Sequence, residues 1–373
     1  MKFSCDKNLL LEAVSMVSRA VLPKATSPVM EGILVECYEE GRMKLIGYDL
    51  SMGIETEVPA EVEKGGTFVV NAKMFGDLLR GMDNDVVAFK MDEHLNLTMT
   101  CASVRFVIGC MDAAGFPILP VVQEDRTVEI KEDMLYSMLR QTLFAVSENA
   151  ATPVLQGTQF RVEPGKLELV ATNQYKLAIR REPFVYDGEG FRFIVPGKTV
   201  TELTRMLKDS DNIVRISLAD RQIMFEMENT VVFSRLLEGD FLDYARILPT
   251  SFKTVATLKI DKLKRSMERA SILLYNEKVR IPVRFAFEFD SIVTSCRSTA
   301  GNTMTDQIPA KIDGPNMEIG FNNKYILEML AAAECEEIMI GLNSPEKLIQ
   351  ITPTEGDRFI FMLSPMRLPS TQG

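Results

Sequence analysis

The chain has 373 residues, 46% of them hydrophobic, 25% charged, with a formal net charge of −10. That size suits several cored domains, and the acidity argues against a protein that wraps nucleic acid over its whole surface. No apolar run nears the roughly 18 residues of a membrane span, no leader-like pattern opens the chain, and a lone histidine leaves His-based nucleophilic schemes almost no material.

The first predicted helix follows a Lys2-Phe3-Ser4 strand and opens at Asp6. Its Leu10, Val14, Val17 and Val21 fall at offsets 0, 4, 7 and 11, one stripe of a 3.6-residue period. Gly32 to Cys37 and Met43 to Gly47 read as a hairpin around Glu40-Gly41. A second helix opens at Asn71-Ala72-Lys73, with Phe75, Leu78 and Met82 on its apolar side. Strands follow at Val86 to Met91, Leu95 to Cys101 and Val104 to Gly109. The whole pattern then returns. Val128-Glu129-Ile130 leads into a helix with Leu135, Leu139, Thr142 and Val146 at the same four offsets. Gly157 to Val162 and Leu167 to Ala171 flank a turn at Pro164-Gly165, and Pro196-Gly197-Lys198 opens a helix carrying Val200, Leu203 and Leu207. The third pass has Leu258-Lys259-Ile260, then Leu263, Met267, Ala270 and Leu274. After them come Val283 to Phe289, with Phe285, Phe287 and Phe289 alternating, and Ile292 to Cys296. Asn322-Asn323-Lys324 opens the last helix, with Ile326, Met329 and Ala333. Lys73, Lys198 and Lys324 stand 125 and 126 residues apart. The expectation is an α+β chain of three like domains, 1–122, 127–250 and 254–373, each with two helices against antiparallel sheets.

Catalytic material is sparse. His94 sits in a polar turn beside Asp92 and Glu93, without the cleft a general base needs. Pro196-Gly197-Lys198-Thr199 resembles the end of a phosphate loop, but Arg192 occupies the position of the required first glycine. Asp83 with Asp85 and Asp209 with Asp211 follow helices as acidic turns and continue into no calcium loop. Six cysteines without a C-x-x-C pair suit scattered buried thiols in a reducing cytoplasm. Neither cofactor nor metal is expected. Charge placement is more informative. Helical segments carry Lys7, Arg19, Lys73, Arg80, Arg140, Lys198, Arg205, Lys208, Lys262, Lys264, Arg265, Arg269 and Lys324, and Lys24 lies just past the first helix. Acidic residues crowd strands and loops.

With Ala171-Thr172-Asn173-Gln174-Tyr175-Lys176-Leu177-Ala178, Glu238-Gly239-Asp240-Phe241-Leu242-Asp243-Tyr244, Asn276-Glu277-Lys278 and Ser364-Pro365-Met366-Arg367-Leu368, the chain resembles the bacterial DNA polymerase III beta subunits, the replicative sliding clamps. The resemblance covers essentially its whole length. It implies a non-catalytic head-to-tail homodimer, a ring of six DNA-clamp domains around duplex DNA. By the same resemblance Lys24, Lys73, Arg80, Lys198 and Arg205 lie nearest DNA, and Arg105 and Phe106 meet Ile272 and Leu273 across the dimer seam. It implies too a pocket where replicative polymerase, clamp loader and repair proteins dock a short linear motif. Its walls would be Leu155, Thr172, Tyr175, Lys176, Leu177, Leu242, Arg246, Ile247, Val279, Asn322, Tyr325, Met362, Ser364, Pro365, Met366, Arg367 and Leu368. Asn173-Gln174-Tyr175-Lys176 departs from a more usual Asp-Gly-His-Arg, Leu242 from proline and Ser364 from methionine. The tail Pro369 to Gly373 runs past the usual terminus. The alternative is a three-domain interaction scaffold that never binds DNA.

Overall fold

The computed structural model describes residues 1–120, 125–149, 151–219 and 221–368. The expected domain limit at Val122 and the tail Pro369 to Gly373 therefore lie outside the described residues. Among the described residues there are six α-helices: α1 (Lys7–Val17), α2 (Ala72–Arg80), α3 (Glu132–Leu143), α4 (Gly197–Met206), α5 (Ile260–Leu274) and α6 (Asn323–Ala332). The starts of α1, α2 and α6 are encoded locally. Asp6 accepts hydrogen bonds from the Asn8 and Leu9 amides at 2.8 and 3.0 Å, Asn71 from Met74 at 3.0 Å, and Asn322 from Lys324 at 3.0 Å. Each satisfies donors that have no partner inside the first helical turn.

The described residues form two compact units, Met1–Tyr136 with Thr201–Leu236, and Ser137–Val200 with Leu237–Gly373. This division cuts across the thirds of the chain, and hydrogen bonding explains it. In the first unit an eight-stranded antiparallel sheet joins Met52–Pro59 to Thr230–Arg235, so early and middle segments share one ladder. A five-stranded sheet runs Glu61–Lys64, Lys2–Asp6, Val86–Met91, Asn96–Cys101, Val104–Gly109. In the second unit a nine-stranded sheet joins Lys176–Phe184 to Phe359–Leu363. A four-stranded sheet runs Thr303–Pro309, Ser291–Arg297, Val283–Glu288, Met317–Phe321.

Burial follows the two periods read from the sequence. Leu10, Val14 and Val17 of α1, and Leu263, Met267 and Ala270 of α5, are at most 1% exposed. In the first unit Val87, Phe89 and Met91 point inward from one strand, and Phe3 stacks on Phe89 at 4.6 Å between centroids. Each such large apolar side chain contributes about 1.5–3 kcal/mol. Thr142 sits among apolar positions because its hydroxyl donates to the Met138 carbonyl at 3.0 Å. Gly47 permits a close approach, since a Cβ there would stand 2.1 Å from the Val17 carbonyl oxygen at the end of α1.

Three details depart from expectation. Val21, Met82, Val146, Leu207 and Ala333 lie beyond the helices whose stripes they were to continue. Ile260 begins α5 instead of ending the preceding strand. Phe289, expected to alternate with Phe285 and Phe287, lies past the strand end at 90% exposure. Phe289 and Asp290 form the turn there and Ser291 already opens the next strand, so the period-two rule no longer applies.

Candidate nucleic-acid interface and partner pocket

The helices present cations to solvent. Lys73 and Arg80 on α2, Arg140 on α3, Lys198 and Arg205 on α4, Lys262, Lys264, Arg265 and Arg269 on α5, and Lys324 on α6 are exposed. The exposed helical anions are Glu12, Asp77, Asp261 and Glu268. The bias survives in three dimensions, with corrections: Arg19 is half-buried beyond the end of α1, and Lys208, though exposed, lies past the end of α4. Lys7 is 7% exposed and donates to Asn84 at 2.8 Å, so it caps a turn and does not belong to the exposed set. Lys73 and Arg80 line one cleft of the first unit with Pro23, next to exposed Lys24. Arg80 pairs with Asp77. Glu202 takes both Arg19 at 3.1 Å and Arg205 at 2.8 Å, a cluster that keeps one net positive charge. Lys198 and Arg205 are seven residues apart on α4, two turns along one face.

The expected pocket residues all fall in the second unit. Thr172 ends one strand and its hydroxyl donates to the Lys176 carbonyl at 2.7 Å. Asn173 closes the turn, its side-chain oxygen accepting from the Tyr175 and Lys176 amides at 3.1 and 2.9 Å. Gln174 pays for that turn with a left-handed φ of +75°. Such a backbone suits glycine. Gln174→Gly is expected to stabilise the protein by about 1 kcal/mol, read as a raised melting temperature; an unchanged or lowered melting temperature would contradict the strain.

Tyr175 stacks with Tyr325 at 6.4 Å, and its carbonyl accepts from the Ser364 amide at 2.8 Å. Lys176 is 5% exposed. Its ammonium pairs with Glu328, donates to the Phe144 carbonyl at 2.5 Å and lies 4.6 Å from the Tyr325 ring centre. Leu177 and Met362 are buried beside Tyr244, and Leu155 is 7% exposed. Leu242, Ile247 and Val279 are exposed apolar side chains, and Arg246 is exposed and paired with Asp243 at 2.7 Å. Val279 and Asn322 line a cleft between α5 and α6. Pro365, Met366, Arg367 and Leu368 line another beside Glu318 and Pro345. There the Met366 amide donates to the Gly320 carbonyl at 2.7 Å, and a Cβ on Gly320 would stand 2.6 Å from the Met366 oxygen.

Sequence reading missed three supporting residues. Glu328 belongs to no motif or stripe that the sequence exposes, and Phe144 lies off the apolar stripe of its segment. Tyr244 stood within a quoted motif without a role. Its hydroxyl donates to Glu168 and accepts from Arg161 at 2.6 Å, which fixes the short helix Tyr244–Ile247 that carries Arg246 and Ile247. Burial pushes the 1%-exposed Glu168 carboxyl upward. Hydrogen bonds from Tyr244 and Arg181, with the charges of Lys166 and Arg181, outweigh this and hold it below the ordinary value. A lowered folded value stabilises the protein above the unfolded-chain value, and that stability is lost as pH falls through the folded value. Glu168→Gln is therefore expected to melt earlier than wild type at pH 7, the gap narrowing below about pH 4. A pH-independent gap would exclude ionisation as the cause.

At the expected seam, Val104–Gly109 is the edge strand of its sheet, with Arg105 exposed and Phe106 half-buried. In the second unit Ile272 is 78% exposed, which removes core packing as its role, while Leu273 is half-buried against the core. Thr303–Pro309 is likewise an edge strand.

Family models of the DNA polymerase III beta subunit match three consecutive segments: the N-terminal domain over residues 1–120, the central domain over 129–243 and the C-terminal domain over 245–367. The chain belongs to the DNA polymerase III beta subunit family. It carries three clamp domains of mixed helix and antiparallel sheet. The beta sliding clamp of Bacillus subtilis is 27% identical over 98% of this chain and 100% of its own. A crystal structure of a sliding clamp from the same organism superimposes with a TM-score of 0.93, covering 99% of this chain and 100% of that one at 27% identity. A Pseudomonas aeruginosa clamp solved bound to griselimycin gives 0.92 at 25% identity, covering 99% and 100%. No helix among the described residues is long and apolar enough to cross a membrane.

Proposed function

We propose that this chain is a DNA sliding clamp that works without catalysis, in the cytoplasm, tethering replicative polymerase and repair proteins to duplex DNA. The observation that carries the reading is the cationic solvent face of the helices on a chain of net charge −10. Phosphate contacts from Lys24, Lys73, Arg80, Lys198 and Arg205 would be sequence-independent and salt-sensitive. Such contacts centre a duplex without gripping it, and topological closure supplies retention. The acidic remainder discourages adhesion elsewhere.

Closure requires two chains. In this reading three domains per chain, at 1–122, 127–250 and 254–373, make six. The seam joins Arg105 and Phe106 of one copy to Ile272 and Leu273 of another, with the two open strand edges available to extend across it. The pocket around Tyr175, Leu177, Tyr325 and Met362 takes an apolar anchor from a partner's linear motif.

Ile272→Asp with Leu273→Asp is expected to halve the mass in solution and to abolish retention on nicked circular duplex after loading by the cognate clamp loader. A variant that stays dimeric would reject this seam. A wild-type chain that is monomeric at micromolar concentration would reject the ring and favour the scaffold reading.

A further inference from the structure

The two large sheets share a plan but fill one position differently. Asp49 accepts from the Ser51 and Met52 amides at 2.9 and 2.7 Å, as Asn173 accepts from Tyr175 and Lys176, and Leu50 and Gln174 share left-handed φ values of +72° and +75°. Seven residues past Asp49 stands Thr56, and seven past Asn173 stands Arg180. Thr56 pairs across the strands with Thr230, and Arg180 with Phe359. The amide that follows each one also matches: Glu57 donates to the Asn229 carbonyl at 3.0 Å, and Arg181 to the Arg358 carbonyl at 2.9 Å.

In the second unit Arg180 is fully buried. Its guanidinium donates to the Arg181 carbonyl, to the Arg358 carbonyl at 3.4 Å and to Glu182. In the first unit two threonines stand in place of Arg180 and Phe359, and beside them lies a cavity of about 250 Å³. Thr56 and Thr230 line it with Leu9, Met16, Met206 and Met227. Glu57 and Asn229, the counterparts of the two residues whose carbonyls hold Arg180, line it too.

Its charge is one-sided. Glu12, Glu57, Glu132 and Glu228 face a single base, Lys208. Arg42 neutralises Glu57 at 2.8 Å, which leaves three carboxylates to one ammonium. Glu132 accepts from the Lys208 amide and the Ser210 hydroxyl, while Glu12 and half-buried Glu228 form no ion pair among the described residues. A cation entering such a cavity is favoured by the summed potential. Arginine fits better than lysine, because its weakly hydrated planar fork can span a carbonyl and a carboxylate while its alkyl stem packs on methionines.

We propose that this cavity receives an arginine side chain of a partner protein, seated as Arg180 is seated in the second unit. The guanidinium lies between the Glu57 carbonyl and the Glu228 carboxylate, and the stem runs along Met16, Met206 and Met227. The site belongs wholly to the first unit and is independent of the partner pocket in the second.

Methyl NMR of the full chain labelled at its methionine methyls tests it, with Met16, Met206 and Met227 assigned by single Met→Leu changes. Acetyl-Gly-Arg-Gly-amide is expected to shift those three signals saturably at millimolar concentration, and the citrulline peptide, equal in shape but uncharged, to bind about tenfold more weakly. Glu12→Gln with Glu228→Gln should weaken the arginine peptide about fivefold or more while the melting temperature holds. Thr56→Arg, which supplies the guanidinium from within, should abolish the shifts. The absence of saturable shifts in these methyls, equal binding of the citrulline peptide, or affinity indifferent to the double glutamine change overturns the inference. Agmatine binding more tightly than the peptide would assign the cavity to a free guanidine and overturn the partner protein as its occupant.

Discussion

Lys198→Glu combined with Arg205→Glu is expected to weaken binding to duplex DNA at least about tenfold near 0.1 M salt, and to lower the slope of log affinity against log salt by about 2 per chain. Both side chains are exposed and two turns apart on α4, so one duplex phosphate track can meet both. Neither supports the core. Glu202, which loses Arg205, keeps Arg19 at 3.1 Å. The melting temperature should move little, because exposed ion pairs contribute at most about 1 kcal/mol. Unchanged affinity together with an unchanged salt slope would reject α4 as a DNA-facing element.

Glu328→Ala is expected to destabilise the protein by about 3 kcal/mol, measured as a shift in denaturant midpoint at constant slope. The variant leaves the ammonium of Lys176 at 5% exposure with a carbonyl and two ring faces but no counter-charge. Glu328 itself is 27% exposed, which places the loss at the low end for a broken buried pair. Lys176→Met removes the charge instead of stranding it and should cost distinctly less. In the double variant the losses should be clearly non-additive. Equal effects of the two single changes would mean that the pair is solvated and carries no special weight. The Glu328→Ala protein should also bind partner peptide more weakly, since Lys176 holds the Tyr325 ring that stacks on Tyr175.

Helix stripes were legible because burial of one face imposes a 3.6-residue period on any amphipathic helix, and Leu10, Val14 and Val17 obey it. Helix starts were legible because Asp6, Asn71 and Asn322 act within three residues of themselves. Strand pairing across the thirds was not. Thr230–Arg235 lies on Met52–Pro59 and Phe359–Leu363 on Lys176–Phe184 through backbone hydrogen bonds, which leave no trace in residue spacing. Most pocket positions came from motif resemblance, and spacing supplied none of them.

By itself the sequence determined three repeats, two helices in each, an excess of cations on helical segments and the poverty of catalytic groups. Periodicity and local capping are short-range effects, so they are written where they act. Only the tertiary structure decided that Lys7 turns inward to Asn84, that Ile272 stays exposed, that Glu328 neutralises Lys176 from 152 residues away, and that Tyr244 is anchored to Glu168. Those choices depend on which desolvated charge finds a partner at long range, and only the folded chain fixes that.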